Sequence, residues 1–522
     1  MSEKKVISYH TFVFPFLFDT SGKSDRKKFL DFLPALGKGL RQDTVNWEAP
    51  SKTLFDQYRY FTPAIRNALY TRHFSEDEIV WNYRYDLEYM FTGEQDGKWI
   101  QSKKGGDNSV SFFIKRDDFQ ATLAVNGVRL KLFNTGIGML IFELENYELA
   151  YEKDIKSINE YGRRIYMPYI MNDDERVCHL CAENISLLYN GNQIDKASGP
   201  IRCMDSSRAN KIELAPFIKY FLSNDKKMVT ASPSPSKNEY YIEPIIDDRM
   251  FVACIYANDS FVSNMSQWDE ERGTYAYLAH AEAKAPADQN NGAKALYEMM
   301  FIDADESTCQ SRMMLKKMLE DHVYDRWLEY GTITGITEYS MITVTTEGGI
   351  QFLANPFLTE YVEMIYLVLA QRATFLAFER TVSNVACSGY KYNINKIQRQ
   401  YVMFQSQLLL QEATVQQQGI ELYTMLRKCL HIREQQECVD GQIRALYEMS
   451  TSGNEKFENG ILFILATLGV FDCVDVVFGG WLEWETGLFG WFPIAGIGLL
   501  LFCNFFGKKT LNLFKKMFLH KK

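Results

Sequence analysis

The stretch GLFGWFPIAGIGLLLFCNFFG, residues 487–507, contains no charged side chain over 21 positions. As an α-helix it would be about 31 Å long, which matches the hydrocarbon core of a bilayer. A buried helix of a globular domain is the alternative, but apolar runs in such helices are usually shorter. The stretch therefore predicts a transmembrane helix.

A second apolar stretch, GILFILATLGVFDCVDVVFGGW, precedes it at residues 460–481. It carries Asp472 and Asp475, and a carboxylate at membrane depth costs several kcal/mol unless it faces water or a partner. Because the two aspartates are three residues apart, they share one helix face. They lie either near the far membrane interface or on a water-filled pore, and we carry the pore-lining interpretation forward.

The residues around these stretches predict the orientation of a two-helix transmembrane hairpin at 459–507. The connector contains Glu483 and Glu485 but no lysine or arginine, whereas six lysines and no acidic residue follow Gly507. The positive-inside rule then places the basic tail, 508–522, in the cytoplasm. Two spans return the N-terminal part of the chain to the cytoplasm as well.

Composition narrows the function classes for the rest of the chain. The 522 residues suffice for two or three domains, and the net charge of −9 argues against direct nucleic-acid binding, which normally needs a basic face. Ten cysteines are scattered without a framework spacing, and no secretion signal is evident. They are therefore expected to be reduced thiols in the cytoplasm.

Upstream of the apolar stretches, residues 356–458 are predicted to form a helical stalk. Pro356 marks its expected start, and Ser388 with Gly389 marks a possible break. Apolar residues then recur at alternating spacings of three and four, with one polar exception, Gln436. The members of this heptad seam are Leu422, Met425, Cys429, Ile432, Gln436, Val439, Ile443 and Leu446. The seam predicts self-association along an axis normal to the membrane, or packing against helices of the same chain.

Residues 1–355 are predicted to form a cytoplasmic ligand-sensing domain of the α+β or α/β class, with an undetermined strand order. Runs rich in aromatic and β-branched residues predict strands. These runs are 6–18, 109–114, 127–132, 138–144, 250–256 and 339–345. Helices are expected at 63–72 and 309–327.

Catalytic signals are poor. Gly136, Ile137 and Gly138 lack the third glycine of a dinucleotide loop, and the chain contains no P-loop motif. The run CHLC at 178–181 has metal-ligand spacing, but no second pair follows it at a finger spacing, so ordinary thiols are expected. The sequence therefore predicts a protein that is not an enzyme and has no cofactor or bound metal.

Two charged clusters suggest a ligand site instead. In YGRRIY, residues 161–166, Arg163 and Arg164 stand between aromatic residues, and arginine forks bind phosphate bidentately. Asp247 and Asp248 precede a strand-like run, where carboxylates can accept from ribose hydroxyls or an ammonium group. Together they would suit a zwitterionic or nucleotide-like ligand, and solvated ion pairs are the alternative.

The order of domain, stalk, paired spans and basic tail resembles the layout of CorA-type channels. That family carries a Gly-Met-Asn motif at the end of the first span, where this chain has VFGGW at 477–481. Magnesium selectivity is therefore not expected, although a CorA-type divalent metal cation transporter remains the alternative function. That alternative is supported by four acidic residues in and after the first predicted span, namely Asp472, Asp475, Glu483 and Glu485.

A narrower resemblance is to the CorA-like membrane effectors encoded beside type III CRISPR systems. The runs that carry it are HTFVFPF (10–16), NTGIG (134–138), YGRRIY (161–166), IDDRMF (246–251), YVEMIYLVLAQRA (361–373) and QGIELY (418–423). The resemblance implies a homopentamer in the bacterial inner membrane, with a central pore gated by a nucleotide second messenger made during phage infection. In the best-known members this messenger is a conjugate of S-adenosylmethionine and AMP. Arg163, Arg164, Asp247 and Asp248 are the implied ligand contacts.

Overall fold

The computed structural model describes part of the chain and divides it into two units. The described residues are 5–18, 31–37, 39–75, 77–92, 94–95, 98–99, 110–165, 169–170, 182–194, 204–205, 214–232, 235–282, 292–303, 307–388 and 394–448. The predicted hairpin at 459–507 with Asp472 and Asp475, the basic tail and the CHLC run lie outside them. One unit comprises Met1–Asn384 with Arg399–Val439, and the other comprises Val385–Gln398 with Asp440–Lys522.

The first unit is built on one mixed sheet, so the α+β assignment is confirmed at this level. Its strands are β1 Ser8–Leu17, β2 Leu40–Gln42, β3 Val80–Tyr85, β4 Val110–Arg116, β5 Phe119–Phe133, β6 Ile137–Asn146, β7 Asn184–Tyr189, β8 Asn192–Gln193, β9 Glu243–Pro244, β10 Phe251–Ala257, β11 Val323–Tyr324, β12 Thr332–Ile336 and β13 Ser340–Thr345. The main path runs β8-β7-β4-β5-β6-β1-β10-β13-β12-β11, while β9 pairs with β1 and β3 links β2 to β5. Each predicted strand run coincides with one of these strands.

Strand β1 lies at the centre of the sheet. It pairs antiparallel with β6 from Ser8 opposite Asn146 to Leu17 opposite Ile137, and its other edge pairs antiparallel with β10. Strands β10 and β13 are parallel, and they form the only parallel pair among the main-sheet pairings described here. Most of β1 is buried, because helices and loops cover both faces of the sheet, and this explains its nearly continuous apolar sequence.

Two glycines of the NTGIG run have structural tasks at the turn between β5 and β6. Gly136 has a backbone φ of 90°, a conformation that residues other than glycine rarely adopt. A Cβ atom on Gly138 would overlap the ring of Phe16 on β1. The run therefore closes a tight hairpin against the core. This structural role explains both glycines, so a dinucleotide-binding loop is not needed to explain them.

The described helices lie between and after these strands in the chain. They are α1 Lys52–Tyr60, α2 Pro63–Leu69, α3 Leu87–Thr92, α4 Glu152–Gly162, α5 Pro216–Leu222, α6 Asp259–Met265, α7 Ala276–Glu282, α8 Gly292–Phe301, α9 Arg312–His322, the three consecutive segments of α10 (Glu347–Pro356, the π-helical Phe357–Tyr361 and Val362–Ser388), α11 Ile394–Gln407, α12 Gln417–Cys429 and α13 at residues 432–448. The predicted helices at 63–72 and 309–327 correspond to α2 and α9.

Helix α10 differs from the sequence expectation at its start. The Thr346 hydroxyl accepts from the backbone N–H of Gly349, 2.9 Å away, and caps a helix that begins at Glu347. Pro356 therefore lies inside the helix, and a π-helical turn follows it. A proline removes one backbone hydrogen bond of a helix. Pro356 therefore explains why the regular α-helix gives way to a π-helical turn at this place.

Helix α10 is also the one described helix that is long and apolar enough to cross a membrane, over Glu347–Ala386. Its most apolar window is 78% buried inside the protein, which is what a core helix of a folded domain also shows. Gln371, Thr374 and Glu363 on this helix are buried as well. The two spans predicted from the sequence lie further along the chain.

The heptad seam extends over two helices. The chain is not helical at 408–416, and the seam itself is interrupted where His431 adopts a φ of 54° between α12 and α13. Its buried members are Leu422, Cys429, Ile432, Val439, Ile443 and Leu446. Cys429 Sγ lies 3.3 Å from the carbonyl oxygen of Ile336 on β12. The first part of the seam therefore packs within its own chain, and self-association through the rest stays a prediction.

Candidate ligand site

The two charged clusters singled out in the sequence meet in space. Helix α4 ends at Gly162, and the next residues run antiparallel to the segment before β10, with a backbone bridge between Arg164 and Arg249. The N–H of Met250 donates to the carbonyl of Arg163 over 2.7 Å. This pairing brings Asp247 and Asp248 beside the arginines.

Asp248 is the partner of Arg164. Arg164 Nη1 donates to Asp248 Oδ2 over 2.8 Å, and the Arg164 side chain is 5% exposed. Arg249 Nε lies 3.0 Å from Asp247 Oδ2 and 3.3 Å from Asp248 Oδ1. The four groups form a chain of alternating charges, and Arg164 is not a solvated cation.

Arg163 points elsewhere and is 1% exposed. Its Nη2 donates to Glu160 Oε2 over 2.7 Å, within the last turn of α4. Burial lowers the pKa of Arg163, although Glu160 opposes this shift. The same Nη2 also lies 3.4 Å from the carbonyl oxygen of Ile302, so the Arg163 guanidinium links the end of α4 to the residue after α8.

The two carboxyls respond differently to this environment. Burial by itself raises the pKa of both Asp247 and Asp248. Hydrogen bonds from the Asp248 side chain and the adjacent Arg249 bring the pKa of Asp247 below its usual value. The pKa of Asp248 stays raised because its hydrogen bond to Asp247 adds to the effect of burial. Asp247 is thus the carboxylate better suited to meet a cationic group.

Next to this charged chain is a cavity of about 200 Å³. Its lining consists of Pro15, Ile246, Asp247, Arg249, Met250, Phe251, Glu338, Tyr339, Leu369 and Arg372. Eight of these ten residues belong to the runs HTFVFPF, IDDRMF and YVEMIYLVLAQRA. Of the four predicted contacts, only Asp247 lines the cavity.

Arg372 is the residue that sequence reasoning missed. It is the only basic residue in the apolar run YVEMIYLVLAQRA, and a charge in such a run was the available signal. Its Nε and Nη1 atoms are buried and have no hydrogen-bond partner within the described part of the chain. Burial lowers the pKa of Arg372, while Glu338, Tyr339 and Asp247 act against this. Arg372 is partly buried, and buried donors without a partner are costly, so an anionic ligand group would be stabilised here.

The lining has a balanced charge. Arg249 and Arg372 face Asp247 and Glu338, and the Arg249 guanidinium lies 5.4 Å from the centre of the Tyr339 ring. Two forks and two carboxylates suit a ligand that carries both a phosphate-like group and an amine. Among the described residues, no group of three or more histidine, cysteine or acidic side chains is arranged to hold a metal ion.

Comparison of the chain with protein-family models, curated proteins and solved structures gives no match.

Proposed function

We propose that this protein is a membrane effector of antiviral type III CRISPR defence. In this proposal a nucleotide second messenger of the S-adenosylmethionine–AMP type binds the cytoplasmic domain. Binding opens a pore formed by the C-terminal spans of several subunits, with Asp472 and Asp475 along it. The open pore dissipates the ion gradient and stops the infected cell.

The observation that carries the proposal is the convergence of separate sequence runs on one cavity. Residues 10–16, 246–251 and 361–373 were singled out for their resemblance to such effectors, and they supply most of the lining. Their meeting point holds an arginine with unused donors. A ligand site at this cavity would explain why these separate runs resemble those of the CorA-like effectors.

The size of the cavity restricts how the messenger would bind. Sites for whole small molecules usually measure roughly 300–1,000 Å³, so a cavity of about 200 Å³ would hold one polar end of a dinucleotide-sized ligand. Arg249 and Arg372 would take the phosphodiester, and Asp247 and Glu338 would take the methionine ammonium group. Arg163, Arg164 and Asp248 would act by holding Arg249 and Asp247 in position.

Arg372 also suggests a route for the signal. It lies on α10, whereas Asp247 and Arg249 precede strand β10, which is a neighbour of β1 in the sheet. A ligand that contacts both would favour one arrangement of helix and sheet over another. Shifting a pore from mostly closed to mostly open needs about 5.5 kcal/mol of differential binding, which several subunits would share.

Single-channel recording tests the proposal. The full chain would be reconstituted in planar bilayers, with the synthetic S-adenosylmethionine–AMP conjugate added to the cytoplasmic side. We expect discrete openings with the conjugate, and none with S-adenosylmethionine or AMP alone at the same concentration. Conductance that is independent of the conjugate, or its absence under all conditions, would refute ligand gating.

A second assay distinguishes the proposed ligand-gated channel from the alternative function, a divalent cation transporter. In a magnesium-uptake-deficient strain, expression of a CorA-type divalent cation transporter would restore growth without any messenger. Our proposal predicts no rescue. Turnover of the conjugate by the purified protein would point to a membrane-anchored enzyme instead.

A further inference from the structure

A larger cavity of about 460 Å³ lies elsewhere in the first unit, and it shares no lining residue with the candidate ligand site. Its walls come from the inner part of the sheet, from α1 and from the π-helical turn of α10. Gln57 on α1 donates to the carbonyl of Thr359 in that turn over 3.1 Å. π-helical turns often occur at functional sites, so the position of this cavity is informative.

Buried charges form one side of the cavity. Arg129 lies 2.5 Å from Glu143 and 3.1 Å from Glu363, and Lys131 lies 2.9 Å from Glu363. Lys131 and Glu363 are 3% and 2% exposed. These two cations and two carboxylates neutralise one another, so they do not by themselves call for a charged ligand.

Two further side chains in the lining have unused hydrogen-bonding capacity. Asn82 is 7% exposed, and its Nδ2 donates to the carbonyl of Leu69 over 2.8 Å, which fixes the amide orientation. Its Oδ1 and the hydroxyl of Tyr70 are buried without a partner in the described residues. Arg129 Nε is also buried without one. Leaving such groups unsatisfied is unfavourable, so a bound molecule that pairs with them would be stabilised.

The lining carries an excess of negative charge. The carboxylates of Asp43, Glu143, Glu145 and Glu363 outnumber the cations Arg84, Arg129 and Lys131 by four to three. The backbone N–H of Asp43 donates to the backbone carbonyl of Asn82 over 2.9 Å, so Asp43, which follows β2, is a neighbour of Asn82 on the adjacent strand β3. Both line the cavity, and they bring a carboxylate and an amide oxygen to the same wall.

We propose that this cavity binds a small organic cation that carries an ammonium group and a hydroxyl. The ammonium group donates to Asn82 Oδ1 and balances the charge of Asp43. The hydroxyl accepts from Arg129 Nε, and the rings of Tyr9, Tyr70 and Tyr83 give the cavity apolar surface on which a carbon skeleton packs. A cavity of this volume is of the size usual for small-molecule sites.

Calorimetric titration of the full chain in detergent with three matched probes tests this inference. Tyramine is the cation, 4-ethylphenol its neutral analogue and 3-(4-hydroxyphenyl)propionate its anionic analogue. We expect saturable binding of tyramine, at least tenfold weaker binding of 4-ethylphenol and none of the anion. Equal binding of the three probes, or no binding of tyramine, would overturn the inference.

Two variants locate the binding. Asp43→Asn removes the excess charge without a change of size and is expected to abolish the preference for tyramine over 4-ethylphenol. Tyr70→Phe keeps the ring but removes a hydroxyl that has no described partner and that would pair with the bound molecule, so it should weaken tyramine binding severalfold without lowering the melting temperature. Asp77→Asn, at an exposed aspartate outside the cavity, is the control. A tyramine preference that persists in Asp43→Asn contradicts the site, whatever the outcome of the channel recordings.

Discussion

Arg164 Nη1 and Asp248 Oδ2 are 2.8 Å apart, although the two residues are separated by 84 positions in the chain. Their ion pair fastens the end of α4 to the segment that leads into β10. Because Arg164 is almost fully buried, this ion pair offsets part of the cost of burying its charge.

The first prediction concerns this pair. Asp248→Asn keeps the shape of the side chain but leaves the buried Arg164 without its nearest counter-charge. We expect a loss of about 2–3 kcal/mol in stability, seen as a lower midpoint of thermal unfolding of the full chain in detergent. Asp269→Asn removes the partner of Arg272 in an exposed pair and serves as the control. Equal unfolding midpoints for the two variants would show that the ion pair of Arg164 and Asp248 does not stabilise the fold.

The second prediction tests the arginine with unused donors. Arg372→Gln removes the charge from the cavity, and loss of a charge-assisted contact is worth about 1.5–3 kcal/mol. Binding of the S-adenosylmethionine–AMP conjugate, measured by calorimetric titration, should weaken roughly tenfold to a hundredfold. The melting temperature of the free protein should not fall, because the described protein offers the Nε and Nη1 atoms no partner to lose.

Arg399→Gln is the matched control for this test, since Arg399 is an exposed arginine outside the cavity lining. It should bind the conjugate like the unmodified protein. If Arg372→Gln binds equally well, the cavity is not the messenger site, and any channel activity would need another sensor.

The third prediction is a pH dependence centred on His10 in β1. The ring is fully buried, with Nδ1 2.7 Å from Asn159 Oδ1 and Nε2 2.9 Å from Ser8 Oγ. Burial lowers the pKa of His10 to about 4, although the hydrogen bond to Asn159 opposes the shift. The unfolded chain takes up this proton near pH 6.5 and the folded protein only near pH 4. Stability is therefore fully present above pH 6.5 and falls as the pH drops towards 4, by at most about 3 kcal/mol.

Thermal unfolding at a series of pH values measures this effect. His10→Gln removes the titrating group, so its midpoint should fall less steeply between pH 6.5 and 4 than that of the unmodified protein. His73→Gln, at an exposed histidine, should leave the slope unchanged. An identical slope in His10→Gln would mean that His10 titrates normally in the folded state.

The fourth prediction concerns close packing at the central strand. Gly138→Ala adds a methyl group that overlaps the Phe16 ring, and overpacking of a core typically costs about 1–3 kcal/mol. Gly441→Ala is the control, because a Cβ atom there meets nothing within 4 Å and alanine favours the helix. The first variant should melt at a lower temperature and the second at the same or a higher one. A neutral Gly138→Ala would mean that Phe16 can move aside.

Local patterns predicted much of the secondary structure. The aromatic and β-branched runs at 6–18, 138–144 and 250–256 correspond to strands β1, β6 and β10, because a buried strand leaves a short continuous apolar signature. The start of α10 was wrong in the sequence prediction. Pro356 is typical of a helix start, but the helix is capped by Thr346 and begins at Glu347, so Pro356 lies inside it.

The sequence predicted which charged residues of the candidate ligand site lie together, but not the part that each plays there. Unusual charge patterns drew attention to Arg163, Arg164, Asp247 and Asp248, and these residues do meet. Their individual roles depend on which way each side chain points, and that is decided by packing. The charge of Arg372 within an apolar run marks it as unusual, but it was missed because only the tertiary structure shows that it lines a cavity.

The sequence by itself determined the apolar stretches at 460–481 and 487–507, the basic tail and most strands, since each depends only on residues close together in the chain. Tertiary structure alone decided the order of the strands, the partners of the arginines and the two cavities. These depend on contacts between residues far apart in sequence, whose energies arise only when a shared core brings the segments together.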